Sequence, residues 1–162
     1  MDYKIRLATT ADATQVAAVE AACFPAAEAC GLAEFERRLR TFPDSFWVAE
    51  DGDGIIGMVN GCVTDRPELP DELYHDSSLH RPDGAYQTVF GLDVLPAYRR
   101  QGVARALLQT LIDTAKEQGR KGVVLTCKDR LRPYYESFGF VWQGVSASTH
   151  GGAQWNDMLL LF

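Results

Sequence analysis

The apolar and polar positions along residues 86–119 predict a strand, a turn and a helix in succession. Tyr86 to Val94 is rich in β-branched and aromatic residues, which favour a strand. Leu95-Pro96 interrupts the strand, because proline lacks an N–H group and has a fixed φ. From Gly102 onwards apolar residues recur with a helical period, at positions 103, 106, 107, 108, 111, 112 and 115. Gly119 then stands where a C-cap glycine ends a helix.

The same patterns predict the remaining elements. Before the central segment we expect strands at 3–7, 46–50 and 55–63, and helices at 9–23 and 32–40, the first helix with Thr9 and Asp12 at capping-box spacing. After it we expect strands at 122–127, 140–146 and 154–162, and a short helix at 131–138. The run 122–127 fits a buried strand parallel to the central one, with the helix as crossover. These elements predict an α/β fold with a mixed, mostly antiparallel sheet flanked by helices.

One motif in the first half imitates a dinucleotide-binding site. Gly52 to Gly57 matches G-x-G-x-x-G, which binds a dinucleotide only when a helix follows directly. Ile55-Ile56-Gly57-Met58-Val59 favours a strand instead, and Asp51 to Gly54 has the composition of a hairpin turn. We therefore interpret this segment as a β-hairpin.

The composition indicates one domain covering residues 1–162, with 46% hydrophobic residues available for a core. The sequence has no run of 18 or more apolar residues, so we expect no membrane span. The segment MDYKIRLATT lacks the features of a secretory signal. Four cysteines, at 23, 30, 62 and 127, are widely spaced, which predicts reduced thiols rather than disulfides or a zinc site. We therefore expect a cytoplasmic protein.

The charge is unevenly distributed along the chain. The net charge of −6 argues against nucleic acid as a main partner. Residues 91–140 carry nine basic and five acidic side chains, and the rest carries seven and seventeen. The basic segment suits a phosphate-bearing ligand and the acidic remainder suits a cationic substrate such as an amine, although solvated surface charge explains the pattern equally well.

The turn from Arg99 to Ala104 has the features of an anion site. Backbone N–H groups at the start of a helix have no partners, and the helix dipole favours negative charge there. Gly102 lets a phosphate approach this backbone, while Arg99, Arg100 and Arg105 add positive charge. The alternative is an ordinary connection with solvated arginines.

The turn Arg99-Arg100-Gln101-Gly102-Val103-Ala104 resembles the R/Q-x-x-G-x-G/A signature of the GCN5-related N-acetyltransferases (GNAT), with Ala104 at the second glycine position. The resemblance implies acetyl-CoA as cosubstrate, a single-domain GNAT fold and no metal. It implies that Leu92, Asp93 and Val94 face the pantetheine and thioester. It also implies that residues 99–105 (Arg99, Arg100, Gln101, Gly102, Val103, Ala104 and Arg105) surround the pyrophosphate.

A second segment, residues 131–140, resembles the family pattern A-x-x-x-Y-x-x-x-G-F and ends in Gly139-Phe140. The resemblance implies that the hydroxyl of Tyr135 meets the thioester sulfur. A phenol stays protonated at neutral pH and supplies a proton to the departing thiolate. The alternative is a core tyrosine with a satisfied hydroxyl.

An arriving ammonium must also lose a proton before it attacks. The vertebrate arylalkylamine acetyltransferases use paired histidines at positions that hold Thr88 and Phe90 here. Their insect relatives have a glutamate shortly after the first helix, and Glu28 resembles it. Glu28 is therefore the candidate base, with a surface glutamate as the alternative. His75 and His80 lie in the long 64–84 connection, where a histidine is more often solvated than catalytic.

The resemblance implies acetyl transfer by direct attack of a small primary amine, with an arylalkylamine as the candidate acceptor. Two alternatives stay open: a peptide or protein N-terminal acetyltransferase, and a catalytically silent acyl-CoA-binding module. We expect no nucleic acid or membrane partner, and either a monomer or a homodimer. Whether residues 64–84 cover the site is left open.

Overall fold

The computed structural model describes residues 2–162, which form α-helices and β-strands joined by turns, short 3-10 helices and one long connection between β4 and β5. In chain order the elements are β1 (Lys4–Leu7), α1 (Ala13–Cys23), α2 (Leu32–Thr41), β2 (Phe46–Asp51), β3 (Gly54–Asn60), β4 (Val63–Thr64), α3 (Glu72–His75), β5 (Tyr86–Val89), β6 (Gly91–Val94), α4 (Val103–Glu117), β7 (Gly122–Cys127), α5 (Arg132–Glu136), β8 (Val141–Val145) and β9 (Asn156–Leu161). The predicted α/β class is confirmed, and the sheets are flanked by helices.

Two compact units make up the chain, one formed by residues 1–61 and 91–112 and the other by residues 62–90 and 113–162. The first unit contains a four-stranded sheet in the order β1-β2-β3-β6, with every neighbouring pair antiparallel. The second contains a five-stranded sheet in the order β4-β5-β7-β9-β8, in which β5 and β7 run parallel.

Close packing in the first unit depends on Gly57 of β3. A methyl group at this position would lie 2.7 Å from the Asp93 carbonyl oxygen and 3.3 Å from Leu107 of α4. Gly57 therefore lets the fully buried Leu107 lie directly against the sheet. The other face of β3 packs against α1.

Phe42, Phe46 and Trp47 belong to the core of the first unit. Phe42 and Phe46 are fully buried, and Trp47 is 5% exposed. Phe46 also makes an edge-to-face contact with Phe35. These aromatic rings therefore stabilise the unit and leave no surface for a ligand.

The predicted strand over residues 86–94 is wrong in one respect, because it is two strands. β5 pairs with β7, β6 pairs with β3, and Phe90 separates them. In the same way, the strand predicted for 55–63 ends at Asn60, and Val63-Thr64 pairs with β5 instead. An apolar run predicts that the backbone is extended, but it does not determine which strand pairs with it.

Other local predictions are confirmed. The segment Gly52–Gly57 forms the β2–β3 hairpin, so the dinucleotide motif has no helix after it. Gly119 has φ +76°, and the N–H groups of Arg120 and Gly119 donate to the carbonyls of Ala115 and Lys116, which is a Schellman C-cap. None of the helices within residues 2–162 has the length and apolar character that crossing a bilayer requires.

Candidate active site

Strand β6 is an edge strand of the first unit's sheet. Asp93 pairs with Met58, and the Leu95 N–H donates to the Ile56 carbonyl at 2.9 Å. Because the main-chain groups of an antiparallel strand alternate in direction, those of Leu92 and Val94 point to the open edge. Leu92 and Val94 thus lie where the predicted contacts with pantetheine and thioester require main-chain donors and acceptors. Asp93 directs its main chain toward β3.

The end of β6 is fastened to the turn that follows. The Val94 carbonyl accepts a hydrogen bond from Arg99 Nε at 3.0 Å and one from the Cys23 thiol at 3.4 Å. Arg99, predicted to contact a pyrophosphate, therefore also holds the turn against the strand. This contact fixes the distance between the open edge of β6 and the start of α4.

The turn between β6 and α4 has an unusual backbone conformation. Arg100 has φ +62° and Gly102 has φ +82°, and Arg100 is the one residue other than glycine with positive φ among residues 2–162. Such conformations cost free energy and concentrate at functional sites. The Gly102 carbonyl accepts the Ala106 N–H at 3.0 Å, so the helix begins there. The N–H groups of Val103 and Ala104, in the first turn, therefore have no partner within the helix.

The side chains of the turn leave that backbone accessible. A methyl group on Gly102 would meet no atom within 4 Å, and Ala104 adds only a methyl of its own. Val103 is 1% exposed, so it offers its N–H and not its side chain. Arg100, Gln101 and Arg105 are exposed on the surface around the turn. A pyrophosphate fits this arrangement by charge and by hydrogen bonding.

A buried polar cluster lies on the α1 face of β6, and the sequence did not predict it. Asp93 is 1% exposed and Glu20 is 6% exposed. Burial, together with the neighbouring Glu20 carboxyl, raises the pKa of Asp93 well above its ordinary value. Asn60 and Arg38 are also buried, and Arg38 Nη1 donates to Asn60 Oδ1 at 3.1 Å.

The segment between α1 and α2 carries Glu28, the predicted base. Glu28 is half-buried, and its N–H donates to the Pro25 carbonyl at 2.9 Å. The segment is also held at Cys30, whose N–H donates to Glu20 Oε2 at 2.9 Å. The role of Glu28 as base stays a prediction.

In the second unit, Tyr135 lies on α5 and is 8% exposed. Its ring makes edge-to-face contacts with Tyr134 and Phe140, at centroid distances of 5.4 and 5.9 Å. This packing fixes the ring, which a proton donor requires. The proton transfer itself stays a prediction.

The second unit also contains an aromatic cluster that the sequence did not predict, formed by Tyr74, Phe90, His150 and Trp155. Tyr74 lies 4.6 Å from Phe90 and 6.0 Å from His150 between ring centroids, and His150 lies 6.0 Å from Trp155. All members of the cluster are half-buried. The Tyr74 hydroxyl lies 3.1 Å from Thr126 Oγ1, near the carboxyl end of β7.

Thr88, one of the two positions predicted to lack a histidine, has a structural role. Thr88 is fully buried, and its hydroxyl donates to the Cys62 carbonyl at 2.8 Å. His80 Nδ1 accepts the Val63 N–H at 3.0 Å, so His80 fastens the long connection to β4. Among residues 2–162, no group of three or more His, Cys, Asp or Glu side chains has a metal-binding arrangement.

Comparisons with known proteins agree with the sequence motifs. The model of the Acetyltransferase (GNAT) family matches residues 13–140. N-acetyltransferase 8 of Homo sapiens is 33% identical over 104 residues, which are 62% of this chain and 40% of that protein. Serotonin N-acetyltransferase of Mesocricetus auratus is 30% identical over 105 residues, 64% of this chain and 49% of that protein. The chain thus spans about half or less of the length of these relatives.

Solved structures show the same fold at lower identity. The loading GNATL domain of CurA from Lyngbya majuscula superposes with a TM-score of 0.86 at 16% identity, over 99% of this chain and 98% of that one. The GphF GNAT-like decarboxylase in complex with isobutyryl-CoA superposes with a TM-score of 0.84 at 23% identity, over 98% of each chain.

Proposed function

Because the chain belongs to the GNAT acetyltransferase family, we propose that it transfers the acetyl group of acetyl-CoA to a primary amine. The observation that carries this proposal is the turn after β6. An edge strand with open main-chain groups leads directly into a positively charged helix start. The first feature suits an extended amide-bearing arm and the second suits a pyrophosphate.

Acetyl-CoA supplies the activated acetyl group, and the residues of the first unit match its parts. The main chain of Leu92 and Val94 would hold the pantetheine arm, and the Leu92 N–H would polarise the thioester carbonyl. Gly102, Val103 and Ala104 would hold the pyrophosphate through their N–H groups, with Arg100 and Arg105 balancing its charge.

Direct attack by the amine agrees with the state of the cysteines. Burial raises the pKa of Cys23 and Cys30, and it raises the pKa of Cys127 to about 11. These thiols therefore stay protonated at neutral pH and are poor nucleophiles. This argues against an acetylated intermediate on Cys23, Cys30 or Cys127. It supports direct attack in which Glu28 assists deprotonation of the amine and Tyr135 protonates the thiolate.

An aromatic amine is the acceptor that we propose. Two observations support it: the similarity to a serotonin N-acetyltransferase, and the half-buried cluster of Tyr74, Phe90, His150 and Trp155 in the second unit. The cluster lies at the carboxyl end of the parallel β5–β7 pair, where ligands of α/β sheets commonly bind. Aromatic rings at such an edge favour an aryl group by stacking.

The experiment is a panel of acceptors with acetyl-CoA, in which chromatography and mass spectrometry detect the acetylated product. Tryptamine, n-butylamine, a polyamine, an amino acid and a short peptide represent the classes. We expect the highest kcat/KM for tryptamine, and Tyr74→Leu should raise KM for tryptamine by about tenfold while leaving KM for n-butylamine unchanged. Turnover of the peptide alone would support an N-terminal acetyltransferase. Binding of acetyl-CoA without any turnover would support a silent binding module.

A further inference from the structure

Gly91 leaves a small polar niche on the α1 face of β6. A methyl group on Gly91 would lie 3.3 Å from Asp93 Oδ1, 3.7 Å from Glu20 Oε1 and 3.8 Å from Asn60 Nδ2. Gly91 does not have positive φ, so its backbone conformation does not require glycine. Glycine avoids the close 3.3 Å contact that a methyl group would make with Asp93 Oδ1, and two carboxyl groups and an amide surround this position.

Asp93 is the unusual member of this niche. It is 1% exposed, and no donor among residues 2–162 forms a hydrogen bond with either of its carboxyl oxygens. A buried carboxyl without a donor costs free energy, so its retention requires a compensating partner. The neighbouring Glu20 carboxyl is itself an acceptor and can bond to Asp93 only through a shared proton.

Hydrogen bonds outside the niche fix the orientation of the Glu20 and Asn60 side chains. Glu20 Oε2 accepts the Cys30 N–H at 2.9 Å, which leaves Oε1 toward Gly91. Asn60 Oδ1 accepts from Arg38 Nη1 at 3.1 Å, and Arg38 also approaches Glu34 at 3.7 Å and Cys30 Sγ at 3.3 Å. Arg38 therefore fixes Asn60, and Glu34 offsets its charge.

The charge of the niche favours a small cation. A monocation would balance negative charge on the two carboxyl groups that line the niche. A primary ammonium donates up to three hydrogen bonds and accepts none, so it complements oxygen atoms that lack donors. Gly91 and Leu92 are only half-buried, so the niche adjoins a part of β6 that solvent reaches.

We infer that the niche formed by Gly91, Glu20, Asp93 and Asn60 binds the ammonium group of the acceptor amine. This inference rests on the proposed acetyl transfer to an amine. It agrees with the position of Leu92, which follows Gly91 in the chain and turns its N–H to the open edge assigned to the thioester. The acceptor would then approach the acetyl group from the α1 face of β6.

The test is calorimetric titration of the CoA-loaded full chain with tryptamine, n-butylamine and tryptophol, in which a hydroxyl replaces the ammonium of tryptamine. Glu20→Gln and Asp93→Asn remove the charge, and Gly91→Ala keeps both carboxyls but fills the space. Gly52→Ala is the control, because its methyl would meet no atom within 4 Å. Each niche variant should lower the affinity for both amines by about tenfold or more, as loss of a hydrogen bond to a charged group predicts.

Affinity for CoA reports separately on folding and on the proposed function. It should stay within about twofold in Glu20→Gln, because Glu20 lies on α1 and both β6 and the turn after it are unchanged. Three results would contradict ammonium binding in the niche: unchanged amine affinity in the variants, an affinity for tryptophol equal to that for tryptamine, or no binding of either amine. If wild-type protein does not bind CoA, the proposed function fails instead.

Discussion

Replacing Tyr135 with phenylalanine tests its predicted role in proton transfer separately from the binding of acetyl-CoA. Its ring is packed between Tyr134 and Phe140, so removal of the hydroxyl alone leaves the packing intact. Tyr134 carries the same group on the same helix and has no predicted role in the reaction. The two tyrosines therefore form a matched pair for mutagenesis.

We predict that Tyr135→Phe lowers kcat on the order of 10²-fold and leaves KM for acetyl-CoA nearly unchanged, because a general acid acts in the transition state. Tyr134→Phe should retain wild-type kcat. Steady-state kinetics with the best acceptor of the panel measure both values. Equal losses in the two variants, or full activity of Tyr135→Phe, would remove Tyr135 from the mechanism.

At this scale the sequence predicted residues that belong to contiguous motifs, Asp93 among them, but it predicted neither Glu20 nor the meeting of these two carboxyls. Arg100 and Gly102 were recognisable because a short turn contains all of their chemistry. Glu20 and Asp93 are 73 positions apart in numbering and meet only because α1 packs on β6. The available signal was a carboxyl in each of two apolar elements, which burial makes costly.

Helix α4 has a glycine with positive φ at each end, and the two ends have different roles. Gly102 has φ +82° at the start and Gly119 has φ +76° just after the end. A methyl group on either would meet no atom within 4 Å. Substitution by alanine therefore introduces similar backbone strain at both ends.

We predict that Gly102→Ala and Gly119→Ala each lower the free energy of unfolding by about 1 kcal/mol, since L-residues disfavour this conformation. Only Gly102→Ala should raise Kd for CoA, by about tenfold, because its methyl occupies the approach to the helix N–H groups. Chemical denaturation and CoA titration measure the two effects. A similar rise in Kd for Gly119→Ala would argue that the helix start is not the binding site.

The junction of β1 and α1 is held by an ion-pair network. Arg6 contacts Asp12 at 2.8 Å and Glu50 at 2.9 Å, and Asp12 also accepts the Thr9 N–H at 2.8 Å. The hydrogen bond from Arg6 is the main cause that lowers the pKa of Asp12. A carboxyl with a lowered pKa in the folded state stabilises the fold above its unfolded pKa, and this contribution is lost as the pH falls.

We predict that Asp12→Asn lowers the free energy of unfolding at pH 7 by about 1.5–3 kcal/mol, the range for hydrogen bonds to charged groups. The difference from wild type should shrink as the pH falls below about 4, where Asp12 becomes protonated in the unfolded state. Urea denaturation at several pH values measures it. A difference that stays constant down to pH 3 would show that the ion pair is not its cause.

Elements with a complete local signal were predicted well, and elements that depend on distant neighbours were not. The C-cap at Gly119 and the β2–β3 hairpin follow from residues adjacent in sequence. The break at Phe90 does not, because β5 and β6 differ in their pairing partners and not in their composition. The aromatic cluster was missed for the same reason, since its members come from four segments of the second unit.

At the scale of the whole molecule, the family assignment rests on agreement between independent observations. The family model extends over residues 13–140, which include both predicted motifs. The turn at residues 99–105 belongs to one compact unit and Tyr135 to the other. The acidic composition outside residues 91–140 suits a cationic acceptor.

The most direct test of direct acetyl transfer is the intact mass of the protein during one turnover. The protein is first mixed with acetyl-CoA alone, and tryptamine is then added. We predict that the protein mass stays unchanged before the amine is added, and that free CoA and N-acetyltryptamine then appear in equal amounts. An acetylated protein that loses its acetyl group to tryptamine would contradict direct attack, and intact acetyl-CoA with every acceptor of the panel would contradict the proposed enzyme activity.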